Sequence, residues 1–229
     1  MPIAVARERG ARLEEALATL LPAEPYLAYA NFAPIAPRAV DLHRRWWLAA
    51  AEAEGALVAR GEAGEPLATV CVARRDFESA HFGVPVARIA APAAVVAEDV
   101  RLPALRALYA GAWQTVGDAG YRHVSAVCSA RDRTACWALQ EHGAFHVGTK
   151  ISWMQPLDGR RDAAVVPPPL RLEVRERARI PDLPRGSWRR LHEWSRAGFD
   201  RGPFVFDLDV PPERAATLYP VWTEKAFTG

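Results

Sequence analysis

The sequence has little net charge and no long apolar run. Its 29 basic and 27 acidic residues leave a formal net charge of +2, with both signs interspersed along the chain. Nucleic-acid binding normally requires a strongly basic face, so the composition argues against it. The longest uncharged apolar stretch, Ile89–Ala97, is about half a membrane span and contains Pro92. Arg7, Glu8 and Arg12 interrupt the region where a signal peptide needs an apolar core. We therefore predict a cytoplasmic protein with no nucleic-acid or membrane partner.

Cysteine is scarce, and its positions match no metal-binding pattern. Cys71, Cys128 and Cys136 are odd in number and lack metal-ligand spacing. We predict buried, reduced thiols, as is usual in a reducing compartment. His142 and His146 lie four residues apart, but a zinc site needs further ligands, so we predict that no metal is bound.

The hydrophobic residues, 50% of the 229, are enough to form a substantial core. Residues 12–45 predict one or two helices that break where proline removes a backbone donor. The prolines concerned are Pro22, Pro25, Pro34 and Pro37. Trp46–Ala51 predicts the start of a strand. Ala56–Arg60 and Leu67–Ala73 flank a glycine-containing turn and predict a hairpin. Val84–Ala90 predicts a further strand.

A strand–helix–strand unit near Ser125–Trp153 indicates an α/β fold. Before it, apolar residues recur at three- and four-residue steps over residues 102–116, which is typical of an amphipathic helix. Val124–Cys128 predicts the next strand, and Ala135–His142 predicts a second helix. Asp132 or Thr134 is predicted to cap this second helix, and Gly143 is predicted to end it. Val147–Trp153 alternates apolar and polar residues, which predicts a half-buried strand.

The stretch from Pro156 to Pro169 ends in three prolines and predicts a linker. After it we predict a strand at Leu170–Val174, a helix around Pro181–Arg196 and a loop over residues 198–210. A last helix begins at Pro211-Pro212, since proline is tolerated in a first turn. The order strand–helix–helix could open a second copy of the fold that comes first.

Three segments of the sequence carry a resemblance to a known family. They are Phe77-Glu78-Ser79-Ala80-His81-Phe82-Gly83 with Val86–Ile89, then Arg131-Asp132 with Ala135, Ala138, Leu139, Gly143 and Phe145, and then Pro211–Ala215 with Leu218, Tyr219, Trp222, Glu224 and Gly229. Together they resemble dTDP-fucosamine acetyltransferase-like proteins of the GNAT acyltransferase superfamily. The chain departs from the family pattern at Glu78, where aspartate is usual, at Phe77, where tryptophan is usual, and at His81, a position often aromatic.

The resemblance implies a GNAT-like mixed sheet flanked by helices, followed by a partial second GNAT-like unit. It divides the chain into residues 1–156, a linker at 157–169, and the N-terminal portion of a second domain at 170–229. Acetyl-CoA would be the co-substrate, with its pantetheine between the strands of Val86 and Val127. The family binds the diphosphate on a glycine-rich turn before a helix. Residues 90–103 contain no glycine but do contain Glu98 and Asp99. The first copy is therefore expected to be degenerate, and the second to lack its acetyl-CoA-binding half.

The resemblance also implies N-acetylation of a small amine, with an amino sugar or nucleotide sugar as acceptor. Glu78 and His81 are the candidate bases for the amine proton; their alternative is a turn in which Phe82 anchors the core. The substrate-binding candidates are Ser79, Phe82, Trp188 and Tyr219. The thiolate-protonating group, typically a tyrosine, cannot be assigned.

The alternative function is a non-catalytic GNAT-like binding or oligomerisation module, which the missing phosphate turn favours. A homodimer, or a partner that completes the second domain, would then be expected. Between Arg171 and Arg201, nine arginines and five acidic residues give a local charge of +4. This segment predicts either a phosphate-binding patch or a solvated helix face. Trp113, Trp137 and Trp222 lie on helical stripes and are predicted to be core residues.

Overall fold

The structure is a computed structural model that describes residues 2–30, 35–52, 54–95, 97–149, 186–197, 204 and 210–228. The chain divides into two compact units, Met1–Lys150 and Ile151–Gly229. The predicted linker at 157–169 and the predicted strand at Leu170–Val174 lie outside the described residues. Within the described part, no helix is both long and apolar enough to cross a membrane.

The first unit is built on two sheets. Its strands are β1 (Ala4–Glu8), β2 (Ala56–Arg60), β3 (Pro66–Val70), β4 (Val72–Arg74), β5 (Val86–Ile89), β6 (Ala93–Ala94) and β7 (His123–Ala126). The first sheet has the order β1-β2-β3-β6, and all its pairs are antiparallel. The second has the order β4-β5-β7, in which β4 and β5 are antiparallel and β5 and β7 are parallel.

The two sheets share two continuous segments of chain. Only Cys71 separates β3 from β4, and only residues 90–92 separate β5 from β6. The Ala90 amide donates to the Cys71 carbonyl at 2.9 Å, so the pairing continues across the bend. The hairpin and the strand at Val84–Ala90 are confirmed, whereas β1 was not predicted.

Seven helices accompany the strands in the described residues. They are α1 (Gly10–Ala23), α2 (Ala36–Ala51), α3 (Asp76–Phe82), α4 (Glu98–Asp118), α5 (Arg133–Glu141), α6 (Ser187–Ala197) and α7 (Pro212–Thr228). The mixed α/β fold predicted from the sequence is confirmed. The strand start predicted at Trp46–Ala51 is wrong, because this segment is the end of α2. Trp47 and Ala51 are buried four residues apart, which is a helical period.

The longest helix, α4, covers the first sheet. Its buried residues include Leu105, Leu108 and Ala112, so the predicted apolar stripe is confirmed. Gly111 lies against β1, where an added Cβ would be 3.1 Å from the Val5 side chain. A larger residue at this position would therefore require the Val5 side chain to shift.

The two ends of α5 also agree with the prediction. The Asp132 carboxylate accepts the Ala135 amide at 3.0 Å and caps the helix, which decides between the two proposed caps. Gly143 follows the helix with φ of +83°, a left-handed conformation that favours glycine. The strand predicted at Val147–Trp153 is wrong over its described part, because residues 144–149 form no strand. Val147 is 44% exposed, so its alternation does not reflect burial.

In the second unit, α6 and α7 pack against each other, and both predicted helices are confirmed. Ala215 and Leu218 are buried on α7. The stripe ends there, because Trp222 is 37% exposed, which contradicts its predicted core position.

Candidate functional site

The two parallel strands of the second sheet separate at their carboxyl ends. The Val127 amide donates to the Ile89 carbonyl at 3.0 Å, and this bond is the last between the two segments. Beyond it one segment continues to β6, and the other turns into α5. We call the separating segments, residues 90–95 and 127–132, the fork. Ligands of α/β folds commonly bind at such carboxyl ends, which makes the fork the first candidate site.

A buried arginine connects the two branches of the fork. Arg101, in the second turn of α4, is only 2% exposed. Its guanidinium donates to the carbonyls of Ala94 and Val95, both at 3.0 Å, and to the Asp132 carboxylate at 2.5 Å. The same group contacts Glu24, after the end of α1, at 3.2 Å. We call Arg101, Glu24 and Asp132 the clasp.

The Glu24 carboxylate completes the hydrogen bonding of this branch. It accepts the Ala94 amide at 2.8 Å and the Tyr26 amide at 3.0 Å. The amide and the carbonyl of Ala94, and the Val95 carbonyl, are therefore all bonded to clasp side chains. A ligand that pairs with this strand edge would have to displace them. The clasp keeps one unused donor, since Arg101 Nε has no hydrogen-bond partner among the described residues.

Burial and charge oppose each other in the clasp. Burial lowers the pKa of Arg101, but the hydrogen bond to Asp132 and the charge of Glu24 outweigh it, and the net pKa is raised. Burial raises the pKa of Glu24, which the charge of Arg101 only partly offsets. Arg101 therefore remains a cation between two buried carboxyl groups, and its removal would leave them without a counter-charge.

The start of α4 presents negative charge at the position where the family resemblance implies a diphosphate. Glu98 and Asp99 occupy its first turn, and residue Ala97 precedes it without a side-chain cap. The amides of Val100 and Arg101 both donate to the Ala97 carbonyl, at 3.1 and 2.7 Å. Carboxylates here complement the helix dipole and repel a second anion. The start of α4 thus lacks a preceding glycine turn and is also electrostatically unfavourable for a diphosphate.

A shallow groove of about 400 Å³ lies between the starts of α4 and α5. Its lining residues are Glu98, Leu102, Arg133, Thr134 and Trp137. Trp137 was predicted to be a core residue but is 59% exposed, because it faces this groove. The other helical prediction, Trp113, is only partly buried against the core.

The structure brings four of the predicted site residues together on α3. Glu78 is 4% exposed and forms an ion pair with Arg75 at 2.6 Å. Ser79 Oγ accepts the Val86 amide at 2.9 Å, and Phe82 is 1% exposed. These contacts attach α3 to β5, as the alternative interpretation of this segment anticipated for Phe82.

His81, the second candidate base, lies in a small aromatic cluster. Its ring stacks on Phe77 with centroids 6.1 Å apart, and Phe82 approaches it edge-on at 5.3 Å. The ring is partly exposed, unlike the neighbouring Glu78.

The remaining substrate-binding candidates lie in the second unit. The rings of Trp188 and His192 are 4.4 Å apart, and those of Tyr219 and Trp222 are 5.3 Å apart. Burial raises the pKa of Tyr219. Of the arginine-rich segment, only residues 186–197 are described, and Arg189 there contacts Glu193 at 3.7 Å.

The thiols and the histidines form no metal site in the described part of the chain, where no three metal-binding side chains cluster. All three cysteines are free, and Cys128 Sγ lies 3.4 Å from Cys136 Sγ. His142 contacts the Arg106 carbonyl at 3.4 Å, and His146 contacts the Thr149 hydroxyl at 3.0 Å.

The clasp was not predicted from the sequence. Asp132 was predicted as a possible helix cap and as part of the second segment of the family resemblance, and no role was predicted for Arg101 or Glu24. One signal was available. Arg101 lies four residues before Leu105 and so falls on the apolar stripe of α4, where a charged residue needs a partner.

The comparisons with known proteins give structural likeness only. No protein-family description and no curated protein matches the sequence. A ribosomal-protein-alanine N-acetyltransferase from Brucella melitensis biovar Abortus 2308 is 14% identical, with a TM-score of 0.46, over 67% of this chain and 100% of that chain. An aminoglycoside acetyltransferase from an uncultured soil metagenomic sample is 18% identical, with a TM-score of 0.46, over 69% and 99%. The aminoglycoside N-acetyltransferase AAC(6')-Iy, solved with a CoA bisubstrate analogue, is 13% identical, with a TM-score of 0.46, over 68% and 99%. At these identities and scores, the likeness assigns neither a family nor a substrate to this chain.

Proposed function

We propose that this chain is the acceptor-side part of an acyl-CoA-dependent N-acyltransferase of the GNAT type. The acceptor would be a small amine, with an amino sugar or nucleotide sugar as the first class to test. The parallel pair of β5 and β7, connected through α4 and followed by α5, supports the GNAT assignment, because the sequence resemblance implies this order. Acetyl-CoA would be the co-substrate of the whole reaction.

One observation supports an acceptor-side role for this unit. The backbone groups of Ala94 and Val95 in the fork are bonded to the clasp, and Glu98 and Asp99 begin α4. A thioester cofactor would find these backbone groups of the strand edge already bonded. Its diphosphate would also meet carboxylates at the helix N-terminus. We therefore assign the first unit to acceptor binding and the acyl-CoA site to another part of the complete enzyme.

The reaction itself would be a direct transfer. The neutral amine attacks the thioester carbonyl carbon, the C–N bond forms and the C–S bond breaks. The amine proton passes to a base or to water, and the thiolate leaving group takes up a proton. Of the two candidate bases, Glu78 is held by Arg75, so we retain His81 as the proposed proton acceptor.

Binding measurements on the full chain test the assignment. Calorimetric titration with acetyl-CoA should show no micromolar binding to the first unit. Titration with a panel of amino sugars, followed by amide chemical shifts, should shift signals of α3 and the fork. A micromolar acetyl-CoA complex that CoA displaces, and that Trp137→Ala weakens, would place the cofactor in the first unit and overturn the acceptor-side role.

A second candidate is a non-catalytic GNAT-like binding or oligomerisation module. The bonding of the fork's backbone groups to the clasp also favours this candidate. This candidate predicts that neither acetyl-CoA nor any amine binds. It also predicts self-association or partner binding. Sedimentation of the full chain, measured alongside the amine titration, separates the two: a monomer that binds amines supports the first, and an amine-silent oligomer supports the second.

A further inference from the structure

One face of the second sheet carries an exposed arginine between two short side chains. Arg88 on β5 is opposite Ala73 of β4 and opposite Ser125 of β7. Residues directly opposite each other in a sheet project to the same face. Arg88 is exposed, whereas Ala73 and Ser125 are half-buried. The two short neighbours leave lateral room beside the long side chain for a ligand.

A second arginine shares this face. The Arg75 amide donates to the Val86 carbonyl at 2.9 Å, so the pairing of the two segments extends beyond β4. Arg75 is therefore a diagonal neighbour of Arg88, and such neighbours lie about 7–8 Å apart, within reach of long side chains. Nε and Nη2 of Arg75 both donate to Glu78 Oε1, at 2.9 and 2.6 Å. Its Nη1 makes no hydrogen bond within the described part of the chain.

The positive charge of this face is only partly compensated. Glu78 is buried and already bound to Arg75, and Arg88 has no ion pair or hydrogen bond among the described residues. Partial desolvation, and then the charge of Arg75, lower the pKa of Arg88, while Glu78 offsets them only in part. The guanidinium nevertheless stays protonated. Its positive charge is therefore not neutralised by an ion pair among the described residues.

We propose that Arg88 and Arg75 bind an oxyanion, a phosphate or carboxylate group of a ligand, with the Ser125 hydroxyl at the edge of the site. The planar guanidinium of Arg88 offers paired donors that match both groups, and Arg75 Nη1 adds a third donor. Arg88 immediately precedes Ile89, where β5 and β7 separate, so a bound anion lies beside the fork. The site goes beyond the proposed function, because it holds whether or not the chain serves acyl transfer.

The test is a calorimetric titration of the full chain at low ionic strength, with inorganic phosphate and with acetate in separate experiments. Saturable binding is expected for at least one of them. Arg88→Gln should weaken it about ten- to a hundredfold, the usual effect of losing a charge-assisted hydrogen bond. Arg88→Lys keeps the charge but loses the paired donors and should give an intermediate loss.

The matched control is Arg74→Gln. Arg74 is the neighbour of Arg75 along the chain and projects to the other face, where it contacts Asp76 at 2.7 Å. Arg74→Gln removes the same charge as Arg88→Gln but leaves the proposed site intact. If the site is specific, anion binding by Arg74→Gln should therefore stay within about twofold of wild type. Tighter phosphate binding identifies a phosphate ligand, and tighter acetate binding a carboxylate ligand. No saturable binding, or equal losses in Arg74→Gln and Arg88→Gln, would overturn the proposal. Because acetyl-CoA is absent, this result is independent of the test of function.

Discussion

Replacing Arg101 by methionine tests the clasp. The change keeps an unbranched apolar side chain but removes the guanidinium between Glu24 and Asp132, which are 7% and 2% exposed. Two buried carboxyl groups then lose their counter-charge, and the carbonyls of Ala94 and Val95 lose a donor. Removing one partner of a buried ion pair typically costs about 3–5 kcal/mol, so the free energy of unfolding of the first unit should fall by about that amount at pH 7.

The loss should depend on pH. Without Arg101, burial favours the neutral form of the Glu24 carboxyl group, and protonation removes its uncompensated charge. The destabilisation should therefore be greatest near neutral pH and shrink as the pH falls towards about 4. Adding Glu24→Gln and Asp132→Asn to the Arg101→Met variant should restore part of the stability at pH 7, and asparagine still caps α5.

Urea unfolding followed by circular dichroism measures the change, and hydrogen exchange over residues 93–116 locates it. Arg106→Met is the matched control. Arg106 also lies on α4, but it is on the surface, where it contacts Glu141 of α5 at 2.5 Å. It should have a much smaller effect, since exposed ion pairs contribute little. A loss below about 1 kcal/mol in Arg101→Met, or equal losses in both variants, would refute a buried structural clasp.

Two further predictions follow from the shifted pKa values. Burial raises the pKa of Cys71, and burial together with the neighbouring thiol raises that of Cys128, in both cases to about 12. Iodoacetamide at pH 8 should therefore label both at least about a thousandfold more slowly in the native protein than in urea; mass spectrometry locates the label, and comparable rates would contradict the burial. Burial also lowers the pKa of His43, whose Nε2 lies 3.1 Å from a backbone carbonyl. The unfolded chain then takes up the proton first, so this residue makes stability fall as the pH drops below about 6.5. His43→Gln should reduce that loss between pH 7 and 5.5 in urea titrations, and an unchanged slope would count against it.

Local elements of this protein were predictable because they depend on neighbours in the chain. The apolar stripe of α4, the cap at Asp132 and the stop at Gly143 involve residues within a few positions of each other. Periodicity and capping chemistry act over the same short range. The failure at Trp46–Ala51 arose where this local signal is ambiguous: the segment is apolar enough for a strand, but it is the end of α2, which packs against α1.

The candidate site was less predictable because its contacts are distant in sequence. Glu24 and Arg101 are separated by 77 positions, and Arg101 and Asp132 by 31. No spacing rule connects such residues, and an arginine on an apolar stripe signals only that some partner must exist. The same holds for Arg88, whose neighbours Ala73 and Ser125 come from two different strands.

By itself, then, the sequence determined the α/β class, most of the helices and strands, and the absence of a glycine turn before α4. Those properties follow from side-chain periodicity and from the special conformations of glycine and proline. Only the tertiary structure decided that the backbone groups of the fork are bonded to the clasp. It brings the end of α1, the start of α4 and the cap of α5 to one buried guanidinium. Burial of charge makes this arrangement specific, because each group there is stable only when the others are in place.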